Sequence, residues 1–491
     1  MVNKDTFQYF RAPQQPVSPV VVVKPAGFTD AQRVLAVSLQ GVVAKERPQI
    51  YIDYTGEHNT QQNCRAYLDM LSGKYGFSVA EQRDPAHLLQ TFRDKVRGYI
   101  LADFPRKYRE EYGSSVLEVE SLNVATSLAG LYDSVIVDES LVGLMEELEI
   151  PLVLDVRKKD MAWLLQRPEY QELNRKQVFQ LDSLEHGRDY CIASCAVCFF
   201  SHEQAHFPIR QQIFEDMEPD TPVFGWSNAL AGEDDSTMSL TESGHFWAAG
   251  YPDNLSFVTA FAREQSAVQK PVAELLPEDE QRHYVCILVS DGDNLEFVYK
   301  GLVAEEGQLF DSTARGNVPL GWGMPAALTE LAPDILQYLY DRASDGSVAE
   351  GFVSYGSGGY MYPSHYPKAL LEGHVKKLAR AMKRSDTNIV GIIDFDQFCE
   401  QSLELWDVYT RQEAIDAVFY VDYCSYATDP DAILWSNGKP VIASRARFWK
   451  GLPQSDIAYI SQKINRLPRD PKNPNSYSLI MVHAWSRSLE E

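Results

Sequence analysis

From Tyr284 to His483 the chain repeats one pattern: a short apolar run ends at glycine, aspartate or an aromatic residue, a polar or amphipathic stretch follows, and another apolar run begins. Runs that are apolar at successive positions and rich in β-branched residues suit strands covered on both faces, as parallel sheets require. Seven are predicted as strands: Tyr284 to Val289, Pro319 to Trp322, Gly351 to Tyr355, Ile389 to Ile393, Ala417 to Val421, Pro440 to Ala443 and Ser478 to His483. Most intervals between them hold a helical stretch, among them His374 to Lys383 and Ile457 to Asn465. This is close to the ~250-residue scale of a (β/α) barrel, so a TIM-like barrel is the leading expectation and an open doubly wound sheet the second. Little chain follows Trp485, which leaves completion of the barrel open.

Before Tyr284 the elements are shorter. Strands are expected at Val20 to Lys24, Gln49 to Tyr54, Gly98 to Ala102 and Ser134 to Asp138, with helices from the Thr29-Asp30 cap to Ala44, over Gln61 to Tyr75 and over Ser140 to Leu148. The pattern restarts at Pro151 with P-L-V-L-D-V, then a helix over Asp160 to Gln177, a cysteine-rich segment, a helix opened by Pro208, a strand at Val223 to Trp226 and a long loop over Ala231 to Ser243. The polar stretch Glu264 to Gln281 marks a boundary. The expected organisation is α/β throughout: an N-terminal domain over 1–150, a second accessory domain over 151–275 and the barrel over 276–491.

Composition adds exclusions. A chain of 491 residues, 45% apolar and 11% aromatic, is globular and too long for one core. A net charge of −24 argues against tracking nucleic-acid phosphates or anionic lipid, and neutral or cationic ligands fit better. No run approaches the ~18 apolar residues of a membrane span, and no signal segment opens the sequence, so a cytoplasmic protein is expected as written, with secretion an alternative if a native leader was removed. Seven cysteines, several in apolar runs, read as buried free thiols. Cys191-x3-Cys195-x2-Cys198 has the spacing of a cluster-binding motif, but the strand-like run into Phe199 turns Cys198 away from Cys195. His202-Glu203-Gln204-Ala205-His206 matches H-E-x-x-H, yet Pro208 leaves both histidines ahead of the helix that motif needs.

In a barrel the residues just after each strand share one face, where barrel enzymes carry their chemistry. Here they are Asp291, Asp293 and Asn294 after V-C-I-L-V-S, Trp322, Tyr355 with Tyr360 and Tyr362 beyond a glycine-rich turn, Asp394 and Asp396, Asp422 and Tyr423, Arg445, and finally His483 and Trp485. Carboxylates with aromatic neighbours point to a carbohydrate site. Glycoside cleavage needs one carboxylic acid to protonate the leaving oxygen and a second carboxylate as nucleophile or base, ~5–5.5 Å away for retention and ~6.5–9.5 Å for inversion.

The segment G-S-G-G-Y-M-Y-P at Gly356 to Pro363 resembles the signature of the GxGYxYP putative glycoside hydrolases, with Ser357 in the place of the first glycine. S-D-G-D-N after a strand and S-L-Q-G-V-V at Ser38 to Val43 are also similar to that family's pattern. The resemblance implies a multi-domain protein with a barrel-like C-terminal part and a hydrolase activity; it names no catalytic residue. The expectation is therefore a glycosidase-type hydrolase using Asp291 or Asp293 with Asp394 or Asp396, and Tyr360, Tyr362, Trp322 and Trp485 as the wall facing the sugar. Asn294, Tyr355, Asp422, Arg445 and His483 complete the substrate-binding set. The partner is a carbohydrate, and no cofactor is called for. Two rival readings use the same face: metal-assisted hydrolysis such as deacetylation, with Asp291, Asp293 and His483 as ligands, and a non-catalytic carbohydrate-binding protein.

Overall fold

The computed structural model describes residues 6–56, 64–109, 113–200, 207–226, 232–262, 266–270, 281–298, 309–343, 348–423 and 433–491. The chain forms two compact units, one of Gln8–Ser236 with Ala249–Ala262, the other of Met1–Phe7, Thr237–Ala248 and Arg263–Glu491. Part of the expected boundary, including 271–280, lies outside the described residues.

The first unit carries three sets of three parallel strands with one plan, and a small antiparallel hairpin of Arg106–Arg109 with Ser114–Leu117. Val20–Val23 lies between Ile50–Ile52 and Val79–Gln82, Gly98–Leu101 between Ser134–Val137 and Leu152–Asp155, and Asn174–Gln180 between Ala196–Phe199 and Pro222–Gly225. In each, the earliest strand is central. Helix Asp30–Ala44 starts where expected, with Thr29 and Gln32 forming a reciprocal capping box. Its S-L-Q-G-V-V segment has a packing role. A Cβ on Gly41 would fall 2.6 Å from the Asp189 carbonyl, so glycine lets the helix meet Arg188–Ser194 closely. The Gln40 amide donates to Asn254 at 2.7 Å, and Ser38 Oγ accepts the Ile136 N–H at 3.0 Å.

Two expectations here are corrected. Asp160 to Gln177 is not one helix: a helix spans only Met161–Leu165, a tight turn spans Pro168–Glu172, and the strand Asn174–Gln180 begins inside the expected range. Proline at 168 cannot continue the hydrogen-bond ladder, which frees the following residues to pair. The expected loop Ala231 to Ser243 contains a helix, Glu233–Glu242. Its buried positions Ser236, Thr237, Leu240 and Thr241 recur at helical spacing but are mostly hydroxyl-bearing, so an apolar periodicity does not reveal them.

The second unit is built on a barrel. Its strands are β1 (Tyr284–Val289), β2 (Leu320–Met324), β3 (Glu350–Tyr355), β4 (Ile389–Asp394), β5 (Ala417–Asp422), β6 (Ile433–Ser436), β7 (Lys439–Phe448) and β8 (Tyr477–Val482). All but β6 run parallel and form a closed ring of seven: β1 to β5 pair in sequence, β5 pairs with β7, β7 with β8, and β8 returns to β1 over six matched positions. Closure therefore needs no helix after β8. The strand β6, which the apolar pattern did not reveal, is an antiparallel hairpin partner of β7 joined through Asn437-Gly438, both at positive φ as such a two-residue turn requires.

Side chains alternate between lumen and outer shell. Leu288, Val353, Tyr355, Phe419 and Leu479 form the inner cluster, with Ile389, Ile393 and Ile442 against it. On β2 the lumen positions are Gly321 and Gly323, and on β4 the Tyr355 ring lies over Gly391, whose added Cβ would come within 2.5 Å of it. Trp322 is on the outer face, fully buried, with its Nε1–H donating to Glu350 at 3.2 Å and its ring 5.2 Å from that of Phe310.

Two glycines in this unit should respond oppositely to alanine. Gly292→Ala places its Cβ 2.0 Å from the Gly323 backbone and is expected to lower the stability of the barrel unit by about 1–3 kcal/mol or more. Gly373→Ala, in helix Lys368–Arg384 with nothing within 4 Å, should raise it by about 0.5–1 kcal/mol. Thermal denaturation of the two variants checks both signs.

Candidate active site at the barrel rim

At the end of β1 the backbone leaves the sheet sharply. The Ser290 N–H still bonds to the Val482 carbonyl at 2.9 Å, but Asp291 turns left-handed with φ 64°. Aspartate is among the few side-chain-bearing residues that accept this conformation. Extended alternation is thereby lost: Asp291 is part-exposed, whereas Asp293 is buried with its Cβ beside Gly356 of the signature loop. Asn294 Oδ1 accepts the Phe297 N–H at 3.1 Å, in the manner of a helix cap. Phe297 in turn meets Trp485, which is 42% exposed, edge-on at 5.0 Å.

The signature loop follows β3. Gly356 and Gly358 both have positive φ, so the two glycines flanking Ser357 make the turn. Ser357 is held by the Tyr409 hydroxyl at 2.7 Å and by His374 Nε2 on its carbonyl. Tyr360 exchanges two backbone hydrogen bonds with Trp247, each 2.9 Å. The Tyr360 and Tyr362 hydroxyls are 3.0 Å apart, and the Tyr362 ring meets Phe395 at 4.7 Å and Tyr423 at 5.5 Å. An aromatic cluster thus joins the loop to the ends of β4 and β5.

Asp394 fastens the same loop. Its carboxylate accepts the Ser364 N–H and the Ser364 hydroxyl, both at 2.7 Å, and the Phe395 N–H at 2.8 Å. Burial pushes its pKa up to about 6 despite these bonds. Asp394 pairs in register with Asp422 on β5, whose carboxylate accepts the Asp396 N–H and the Tyr420 hydroxyl, each at 3.0 Å. Both sit on the outer alternation of their strands. Asp396 is exposed and, like Asp291, left-handed, with φ 49°.

Arg445 is set apart from the rim. A bulge between Ser444 and Ala446 shifts the register of β7, and Arg445 is fully buried with its guanidinium reaching Asn475, which precedes β8. Past the bulge Arg447 pairs with Met481 and takes the lumen side. Trp449 continues that side and stacks on His483, centroids 3.5 Å apart and planes within 4°. His483 Nδ1 contacts Ser486 Oγ at 2.8 Å, and burial lowers the imidazole pKa to about 4, so it is neutral at physiological pH.

The structure thus gathers Asp291, Asp293, Asn294, Tyr355, Tyr360, Tyr362, Asp394, Asp396, Asp422, His483 and Trp485 at the strand ends or on the loops leaving them, and sets Trp322 and Arg445 apart. Arg447 and Trp449 were missed; both follow the bulge, which the sequence pattern does not announce. Among the described residues no three His, Cys, Asp or Glu side chains are grouped so as to hold a metal ion. Cys191 lies on helix Arg188–Ser194 and Cys198 on strand Ala196–Phe199, both buried and free, with Cys195 half-buried between them. The H-E-x-x-H segment, His202 to His206, lies outside the described residues. Among the described residues no helix is long and apolar enough to cross a membrane.

Comparison with known proteins agrees with this architecture. Residues 281–491 match the GxGYxYP putative glycoside hydrolase C-terminal domain, and 19–94, 112–172 and 176–260 match the first, second and third N-terminal domains of the same group. No curated protein matches the sequence. A crystal structure of a putative hydrolase from Bacteroides thetaiotaomicron VPI-5482 superposes with a TM-score of 0.85 at 25% identity, over 99% of this chain and 92% of that one.

The Asp394 clamp predicts a pH signature. Its folded pKa of about 6 lies above the ~3.9 of an unfolded aspartate, so its contribution is fully present below about pH 4 and is lost as pH rises through 6. The stability of the wild-type barrel unit relative to Asp394→Asn should therefore fall between pH 4 and 7, read as the difference in their melting temperatures. A difference that grows with pH would contradict the shift.

Proposed function

The chain belongs to the GxGYxYP family, and from that premise we propose that it cleaves a glycosidic bond at the C-terminal rim of its barrel. The observation that carries the reading is the convergence on one rim of accessible carboxylates from different strands with half-exposed aromatic faces. Asp291 and Asp396 end β1 and β4, both left-handed and both reachable from solvent, and Asp293 lies beside Asp291. Tyr423, Trp449 and Trp485 supply flat apolar faces of the kind on which sugar rings stack.

The chemistry divides among these groups. One carboxylic acid from Asp291 or Asp293 protonates the leaving oxygen, and the Asp396 carboxylate, on the far side of the bond, serves as nucleophile or activates water. Asp394 has a positioning role in this reading, because both its oxygens are occupied by Ser364 and Phe395. It holds the signature loop, and with it Tyr362, against the rim. Neutral His483 backs the wall without competing as a charged acid.

Asp291→Asn and Asp396→Asn should each reduce turnover of a cleaved glycan by about 10²–10⁴-fold with little change in melting temperature. Asp394→Asn should lower thermal stability as well as activity. Full activity in both of the first two variants would move the site elsewhere.

A further inference from the structure

Arg447 differs from the arginines that are paired within the protein: Arg315 pairs with Glu350 at 2.7 Å, Arg33 with Glu185 at 2.9 Å, and fully buried Arg188 donates to Asn123, Thr126 and two backbone carbonyls. Arg447 makes one hydrogen bond, from Nη2 to the Pro453 carbonyl at 3.3 Å, and its Nε–H is buried without an acceptor. Among the described residues no carboxylate pairs with it. Leaving a buried N–H without an acceptor is costly, and arginine's planar fork is the side chain best shaped to take a carboxylate through two parallel hydrogen bonds.

Its surroundings fit a ligand. The shifted register after the bulge turns Arg447 to the lumen side of β7, next to Met481, and two residues on Trp449 lies flat on His483. That stack is fixed by the His483 N–H on the Phe448 carbonyl at 3.0 Å and by Nδ1 on Ser486. Because the imidazole is neutral, the stack adds no charge of its own beside the guanidinium.

We infer that Arg447 and the Trp449–His483 stack form a subsite for an anionic sugar residue, with the guanidinium binding a uronic-acid carboxylate and the aromatic pair supporting the ring. This rests on the reading of the rim as a glycan site and adds the substrate's charge class. The chain's net charge of −24 favours neutral or cationic ligands at long range, and a local cation overrides that preference at contact distance.

Isothermal titration of the full chain with three oligosaccharides of one linkage tests it: one bearing a uronic acid, its carboxyl-reduced neutral counterpart, and a sulfated analogue. Wild-type protein should bind the uronic-acid sugar ~10–100-fold more tightly than the reduced one, Arg447→Lys should retain part of that ratio, and Arg447→Gln should bring it to about one. A sulfated sugar bound more tightly than the carboxylated one would overturn the carboxylate assignment. Equal binding of charged and neutral sugars by wild type, or discrimination that survives in Arg447→Gln, would overturn the subsite while leaving the glycan site standing. Binding of none of the three would reject the underlying reading and the subsite with it.

Discussion

Seven strands enclose less space than eight, and this narrow lumen conditions the rest of the barrel unit. The ring closes because β8 pairs with β1 along its full length and β5 bonds across to β7, so every strand edge in the ring is satisfied. A small lumen cannot take a large side chain from every strand. Gly321, Gly323 and Gly391 make room for their neighbours, and Tyr355 fills the space over Gly391. The same close packing reaches the rim, where Gly292 lies against Gly323 and Asp293 against Gly356. The acidic tip of β1 and the signature loop after β3 are therefore held by backbone contact, before any side-chain chemistry.

The seven parallel strands were legible because a strand covered on both faces is apolar at successive positions, and these runs are also short and rich in β-branched residues. The rim was legible in outline for the same reason: a polar residue directly after such a run is at one end of the barrel. Which way each side chain points was not. Trp322 belongs to the outer shell, where it packs on Phe310 and Glu350. Arg445 and Arg447 differ by two positions, and a single bulge decides that the second faces the lumen. An extended backbone would put Asp291 and Asp293 on one side, but a left-handed residue at the strand end separates a part-exposed carboxylate from a buried one. These are events of one residue's backbone, too local for periodicity to register.

The first unit teaches a related lesson. Its three sets of parallel strands repeat one order, although no repeat of fixed period is visible in the sequence. The repetition lies in the geometry of the βα units, with the central strand always the earliest. Its S-L-Q-G-V-V segment, part of the family resemblance, is explained by packing: Gly41 admits a neighbouring helix, while Ser38 and Gln40 bond to residues distant in sequence. Similarity there speaks for the fold. The G-S-G-G-Y-M-Y-P loop differs in kind, since its glycines shape a turn and its tyrosines join the aromatic cluster at the ends of β4 and β5.

The most direct measurement is a crystal structure of the full chain carrying Asp291→Asn, soaked with an oligosaccharide that the wild-type protein cleaves. The rim site predicts sugar density over the C-terminal ends of the barrel strands, against Tyr423 and Trp449, with the glycosidic oxygen within hydrogen-bonding reach of the β1 carboxylates. Sugar bound at the opposite end of the barrel, or in the first unit with the rim empty, would contradict it.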